Sequence, residues 1–235
     1  MNARLVRLLS VAALPLVTGG WLAAAAAEDS SGGPRYTYFD VGYQWIDVNY
    51  AVKQDGGQHD GLKLNGSLNL VKLGPVGLQL FGEFFDGNFS GGTTVCGSDQ
   101  FSGDRDSQSI AGGLGVNYRV LEKTDLVLRA AYVDINKFQV PNDKCQLVSI
   151  DDHGYFAEAS VRSELSENVE IEAGFRYADL SDSDISNNDV FLGLGYHVTD
   201  YLTLRAMGVV FDTDTGFELD ARLYFGSFLG RDTIF

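Results

Sequence analysis

Beyond its first 27 residues the chain has no apolar run long enough to cross a bilayer as a helix. Its mean hydropathy of −0.04 is likewise too polar for a bundle of membrane helices. There are four prolines, no Pro-rich stretch, no linker and no helical periodicity of useful length, so nothing marks a second domain. Basic residues are scarce. Seventeen Lys and Arg stand against 32 Asp and Glu, a formal net charge of −15, which excludes nucleic acid as a partner. Two cysteines are too few to hold a metal without other ligands. Glycine, by contrast, is abundant at 28 residues, which suits short strands, tight turns and a crowded interior.

Residues 1–27 carry Arg4 and Arg7, then an apolar run from Leu8 to Val17, then alanines offering an Ala25-Ala26-Ala27 cleavage site before Glu28. This pattern predicts a secretory signal peptide. The run is too short and too interrupted, by Gly19 and Gly20, for a spanning helix. No cysteine sits near the cleavage site, so lipoprotein anchoring is not indicated. The domain then comprises residues 28–235.

What remains alternates. Leu62-Lys63-Leu64-Asn65-Gly66-Ser67-Leu68-Asn69-Leu70 places leucines on one parity and polar groups on the other. Successive side chains of a strand point to opposite faces, so such a segment is greasy on one side and wet on the other. Ten segments repeat this: 36–48, 59–71, 76–87, 108–120, 125–134, 153–164, 169–178, 189–198, 201–211 and 216–225. No Lys or Arg falls on the apolar side near the midplane. Exported, repeated alternation with almost no wholly apolar strand predicts an all-β fold, a single antiparallel up-and-down transmembrane β-barrel in an outer membrane. Eight strands result instead if two segments are loop hairpins. Lipid-facing residues include Val41, Tyr43, Leu80, Leu114, Leu128, Phe175, Leu194, Leu204 and Leu219.

Connections follow the same logic. Segments 72–75, 121–124, 165–168 and 199–200 are short, as periplasmic turns are. Segments 49–58, 88–107, 135–152 and 179–188 are longer and belong outside, with a brief 212–215. Aromatics then fall at both headgroup levels: Tyr43, Trp45, Tyr132, Tyr155, Phe175 and Phe217 at outer ends, Tyr118, Tyr196 and Phe225 at inner ends.

The last strand reads Gly216-Phe217-Glu218-Leu219-Asp220-Ala221-Arg222-Leu223-Tyr224-Phe225. A glycine followed by alternating apolar residues and a closing aromatic resembles the signal read by the barrel-assembly machinery. With the alternation and the signal peptide, the chain resembles small outer-membrane barrels of the OmpX and opacity-protein type. Those mostly have eight strands and stop at the final aromatic, whereas residues 226–235 run on here. Either the tail is periplasmic or the true terminal aromatic is Phe235. The resemblance implies outer-membrane lipids, lipopolysaccharide and the assembly machinery as partners.

Lumen-facing positions carry Lys63, Arg119, Arg129, Arg162, Arg176, Arg205 and Arg222. Asp40, Glu83, Glu158, Glu170, Glu172, Glu218 and Asp220 oppose them in equal number. Unpaired buried charge is costly, so this balance predicts an interior packed by ion pairs rather than an ion-selective pore. The excess negative charge lies in aspartate-rich outer loops, against Lys53, Arg105, Lys137 and Lys144. Three readings stand: hydration of turns, divalent-cation binding, or a partner with a basic surface. Asp179, Asp182, Asp184 and Asp189 are the candidate calcium ligands, without the Gly and bidentate Glu of an EF-hand loop. No other cofactor is expected. Cys96 and Cys145 fall on neighbouring outer loops in an oxidising compartment, which predicts a disulfide worth about 3–4 kcal/mol; two free thiols are the alternative.

No enzyme is expected. His153, after Asp151 and Asp152, is the one histidine in a setting like that of ten-stranded omptin proteases, which are much longer. His59 and His197 read as polar strand-end residues, and Ser160 as lumenal without a histidine partner. Gly112-Gly113-Leu114-Gly115 fails as a nucleotide loop, because no helix follows. Two functions survive: a structural or interaction barrel supporting envelope integrity or adhesion, and a narrow passive porin. A hydrolase is a distant third.

Overall fold

In the computed structural model, residues 33–48, 57–91, 94–96, 99–101, 105–141, 147–181, 185–211 and 214–225 are described. They form β1 (Tyr38–Val48), β2 (Gly57–Leu73), β3 (Val76–Gly91), β4 (Thr94–Cys96), β5 (Asp99–Phe101) and β6 (Arg105–Leu121). Then come β7 (Thr124–Pro141), β8 (Leu147–Glu164), β9 (Val169–Leu180), β10 (Ile185–Thr199), β11 (Leu202–Phe211) and β12 (Asp214–Tyr224). Ten of them close into one barrel in the order β1-β12-β11-β10-β9-β8-β7-β6-β3-β2, and β4 pairs with β5 alone. Every barrel pairing is antiparallel. Closure gives each of the ten barrel strands a neighbour on both sides, which is the condition for a sheet to sit in hydrocarbon. Ten strands, not eight, make the ring, and β12 pairs with β1 where the Gly216-to-Phe225 motif stands, so the final strand is not displaced toward Phe235.

The alternation has its expected cause. Leu114, Leu128, Leu192, Leu194 and Leu204 are each half exposed, at 50–55%. Asp40, Glu158, Arg162, Glu170, Glu218 and Arg222, on the other parity, are buried. Apolar side chains outside and ionic ones inside invert the arrangement of a soluble protein, and they fit a barrel with hydrocarbon around it. The interior retains one apolar cluster, Phe81, Ala111, Ala131 and Phe156, with Val133 and Ala178 against it.

Three expectations need correction. The strands run further at the long-loop end: β3 reaches Gly91, β6 begins at Arg105, and β7 and β8 meet from Pro141 and Leu147. Beyond the hydrocarbon a ladder no longer needs one apolar face, so pairing outlasts the pattern that advertises it. The wall is therefore lopsided, with 18 residues in each of β7 and β8 against 10 and 11 in β11 and β12. The segment 88–107 is not all loop, since it holds the β4–β5 hairpin. Finally, β1 begins at Tyr38, and Tyr36 and Thr37 lie outside the ladder.

The glycines at 112, 113 and 115 lie within β6. A Cβ at Gly113 would sit 2.1 Å from the carbonyl oxygen of Ala130 on β7, so only glycine permits this strand approach.

Candidate functional site in the lumen

The alternation of β1–β3 and β6–β12 directs the charged parity inward. All seven expected cations find a carboxylate within 4 Å. Lys63 meets Glu218 at 2.6 Å, and Arg119 contacts Asp125. Arg129 and Arg176 share Glu158 at 3.3 and 2.7 Å, and Arg162 meets Glu170 at 2.8 Å. Arg205 meets Asp40 at 3.2 Å, Glu172 at 3.4 Å and Asp220 at 3.9 Å. Arg222 donates to Asp40 through Nε at 2.8 Å and Nη2 at 2.9 Å, and lies 3.7 Å from Glu170. Six of the seven acidic positions are thereby engaged, and Arg176 also holds the seventh, Glu83, at 2.8 Å.

Several of these contacts cross the barrel. Arg176 on β9 donates two hydrogen bonds to Glu83 on β3, at 2.8 and 3.1 Å. Arg129 on β7 donates to the Tyr38 hydroxyl on β1 at 2.9 Å, and Arg162 on β8 to the Tyr224 hydroxyl on β12 at 2.8 Å. In each case the two strands stand four places apart around the ring. The guanidinium is planar and offers donors in several directions, so one arginine serves both its own wall and the far one. The Arg222 guanidinium also lies 3.7 Å over the Tyr38 ring. The lumen is braced from wall to wall.

At the short-turn end a strap closes it. Residues 33–37 leave β1 and run beneath the lumen. The Gly33 amide donates to Glu164 Oε2 at 3.2 Å, at the end of β8, which lies opposite β1 in the ring. Arg162 donates to the carbonyl of Arg35 at 2.7 Å. The Arg35 guanidinium donates to the carbonyl of Asp200 and lies 3.9 Å over the Tyr224 ring. The Asn69 amide donates to Thr37 Oγ1, and the Phe225 amide to the Thr37 carbonyl, both at 3.3 Å. Gly33 takes φ +109, a backbone conformation that favours glycine, and packs against the Arg119 guanidinium. Tyr36 and Thr37 are buried, at 2% and 5%.

Around the strap the walls are sealed: Gln79, Asp125, Arg162, Glu170 and Thr203 are all 2% exposed or less. Gln79 bridges β2 and β6, donating to Asn117 at 3.1 Å and accepting from Ser67 at 3.3 Å. Above this floor lies a cavity of about 90 Å³, lined by Lys63, Asn65, Phe81, Phe191, Arg205 and Met207 among others.

The remaining expected residues are placed as follows. Asp179 is exposed on β9 opposite Ser186, whereas Asp189 is buried on β10 opposite Arg176 and lines the cavity. The sheet separates the two by face. Asp182 and Asp184 lie outside the described residues. Among the described residues no group of three or more His, Cys, Asp or Glu is arranged to hold a metal ion. Cys145 and the side chain of Cys96 also lie outside the described residues. His153 stands on the outward face of β8 opposite Asp134, its ring 6.1 Å from that of Tyr132, away from the lumen cavity. His59 packs against Phe85 at 4.9 Å, and His197 shares a 2.6 Å hydrogen bond with Thr203. Ser160 donates to Glu172 at 3.4 Å.

Sequence reasoning missed Asp125, Gln79, Asn117 and Thr203 as members of the lumen. The parity of β7 already pointed Asp125 inward with Val127, Arg129 and Ala131. The strap was missed because Tyr36, Tyr38 and Asp40 keep one parity, and nothing in that alternation marks where a chain leaves its ladder.

The sequence matches the outer membrane protein beta-barrel domain family over residues 10–197. No curated protein matches it. Among solved structures, the translocator domain of autotransporter NalP from Neisseria meningitidis is similar at TM-score 0.47 and 10% identity, covering 91% of this chain and 97% of that one. The beta domain of the Bordetella autotransporter Brka is similar at 0.47 and 11%, covering 81% and 99%. The NanC porin is similar at 0.46 and 8%, covering 79% and 98%.

Proposed function

The chain belongs to the outer membrane protein beta-barrel domain family, and from that premise we propose that it works as a closed, braced frame in the outer membrane. Its role is structural or interactive: a rigid wall that holds acidic loops outside the cell, in contact with outer-membrane lipids and lipopolysaccharide. The observation that carries this reading is the floor of the lumen. Gln79 and Thr203 come from opposed parts of the ring and are both fully buried, and Tyr36 of the strap is buried next to Arg162. A resting pore needs a continuous aqueous path, and at the floor the strap, packed against paired and desolvated charges, takes that space instead. The aspartates of the loops give an extracellular partner an acidic surface to recognise, directly or through calcium. Chemistry on a substrate forms no part of the reading.

A narrow passive pore is the second reading, and the cavity of about 90 Å³ above the floor favours it. Planar-bilayer recording separates the two. The refolded mature chain is expected to be silent at moderate voltage in potassium chloride. Steady, reproducible single-channel steps would remove the closed-frame reading and install the pore.

A further inference from the structure

We infer that residues 33–37 are a withdrawable plug, and that their departure converts the closed barrel into a pore for small hydrated ions. The inference rests on the closed-frame reading and says what does the closing.

Reach comes first. Ten strands about 4.8 Å apart and tilted by about 40° make a ring roughly 20 Å across between backbones. Five residues in extended form cover at most about 17 Å. The segment therefore stops a few ångströms short of the far wall, and the Glu164 side chain on β8 spans the remainder to accept from the Gly33 amide. On the way it sets Tyr36 into the lumen, with the Arg162 guanidinium 5.1 Å from its ring.

Attachment comes second. From Tyr38 onward β1 is hydrogen-bonded to β12 on one side and β2 on the other. Residues 33–37 belong to neither ladder and are held at separate points, among them Glu164, Arg162, Asp200, Tyr224, Asn69 and Phe225. They can leave while every barrel strand keeps both neighbours.

Charge comes third. Removing one member of a buried ion pair is costly because it strands the other. The wall groups around the strap are paired within the wall. Arg162 has Glu170 and the Tyr224 hydroxyl, each at 2.8 Å, while Arg119 has Asp125 and the Glu122 carbonyl. What the strap offers Arg162 by hydrogen bond is a backbone carbonyl, which water replaces. Withdrawal therefore strands neither Arg162 nor Arg119. The cavity above begins at Tyr38 and Arg222, which adjoin Arg162 and Glu170, and the throat below them is flanked by Arg119 and Arg162 against Asp125 and Glu170. Such a balance predicts little preference between cations and anions.

The test is planar-bilayer recording in potassium chloride on three proteins: the mature chain, a variant lacking residues 28–36, and an Arg35→Ala/Tyr36→Ala variant that keeps the backbone. Each is first shown to be folded by faster migration of the unboiled protein on a gel. The deletion is expected to conduct steadily with weak ion selectivity, and the double variant to open at least tenfold more often than the mature chain. A synthetic peptide of residues 28–37, added to one side, is expected to close the deletion variant again. A folded deletion no more conductive than the mature chain overturns the plug, as does conductance that the peptide leaves unchanged. Should the deletion not fold, the double variant decides by the same comparison. Steady conductance by the mature chain itself instead removes the closed-frame reading, a separable result.

Discussion

Replacing Arg222 by methionine is expected to destabilise the barrel by about 3–5 kcal/mol, read as a fall in the urea concentration that unfolds it in detergent micelles. Arg222 is 2% exposed and sits where β12 meets β1, directly across the register from Asp40. It holds both Asp40 oxygens and lies near Glu170. Methionine keeps much of the volume but leaves Asp40 with Arg205 alone, at 3.2 Å. The penalty arises from the abandoned carboxylate rather than from the lost bond. Adding Asp40→Leu to Arg222→Met should therefore recover the larger share of the stability. A single variant as resistant to urea as the parent would show that the charges inside are already solvated.

Leu114→Arg tests the opposite face. Leu114 is 54% exposed, in the middle of β6, opposite Leu80 on β3 and Ala130 on β7. An arginine near the bilayer midplane is expected to cost about 2–4 kcal/mol, against roughly 0–1 near the headgroups. Leu121, at the short-turn end of the same strand and 67% exposed, supplies the comparison. In lipid vesicles the folded fraction of Leu114→Arg should collapse at lower urea than that of Leu121→Arg. Equal losses at the two sites would mean that depth does not matter, and hence that no hydrocarbon faces Leu114.

The parts of this molecule that its sequence announces are those where two solvents act on one strand. Through the membrane, hydrocarbon demands Leu128 on one face and the packed lumen demands Arg129 on the other, so every strand and face is legible there. Outside that band the demand lapses. The far ends of β7 and β8 are held by backbone pairing, which any side chain permits, and their extent could not be read. The ion pairs were legible as a balance of sign, because a packed interior tolerates little excess charge. Who pairs with whom was not, since Arg176 and Glu83 lie far apart in the chain and meet only because the ring closes. Asp179 and Asp189 bracket one loop in the sequence, yet the β9–β10 hairpin carries them to opposite faces. The strap was invisible for the reason given by Tyr36: a residue pointing inward from a strand and one lying across the lumen share the same parity.

The pairing of β1 with β12, from Tyr38↔Tyr224 to Asp47↔Thr215, also governs how the molecule must be born. Contacts this distant along a polypeptide form late and slowly. A nascent chain that has delivered nine of the ten staves still has two raw margins, each able to template aggregation. No shorter fragment is a smaller version of the finished object. Until residues 214–224 emerge, the chain needs an escort, and a stop codon shortly before them should yield debris rather than a weakened barrel.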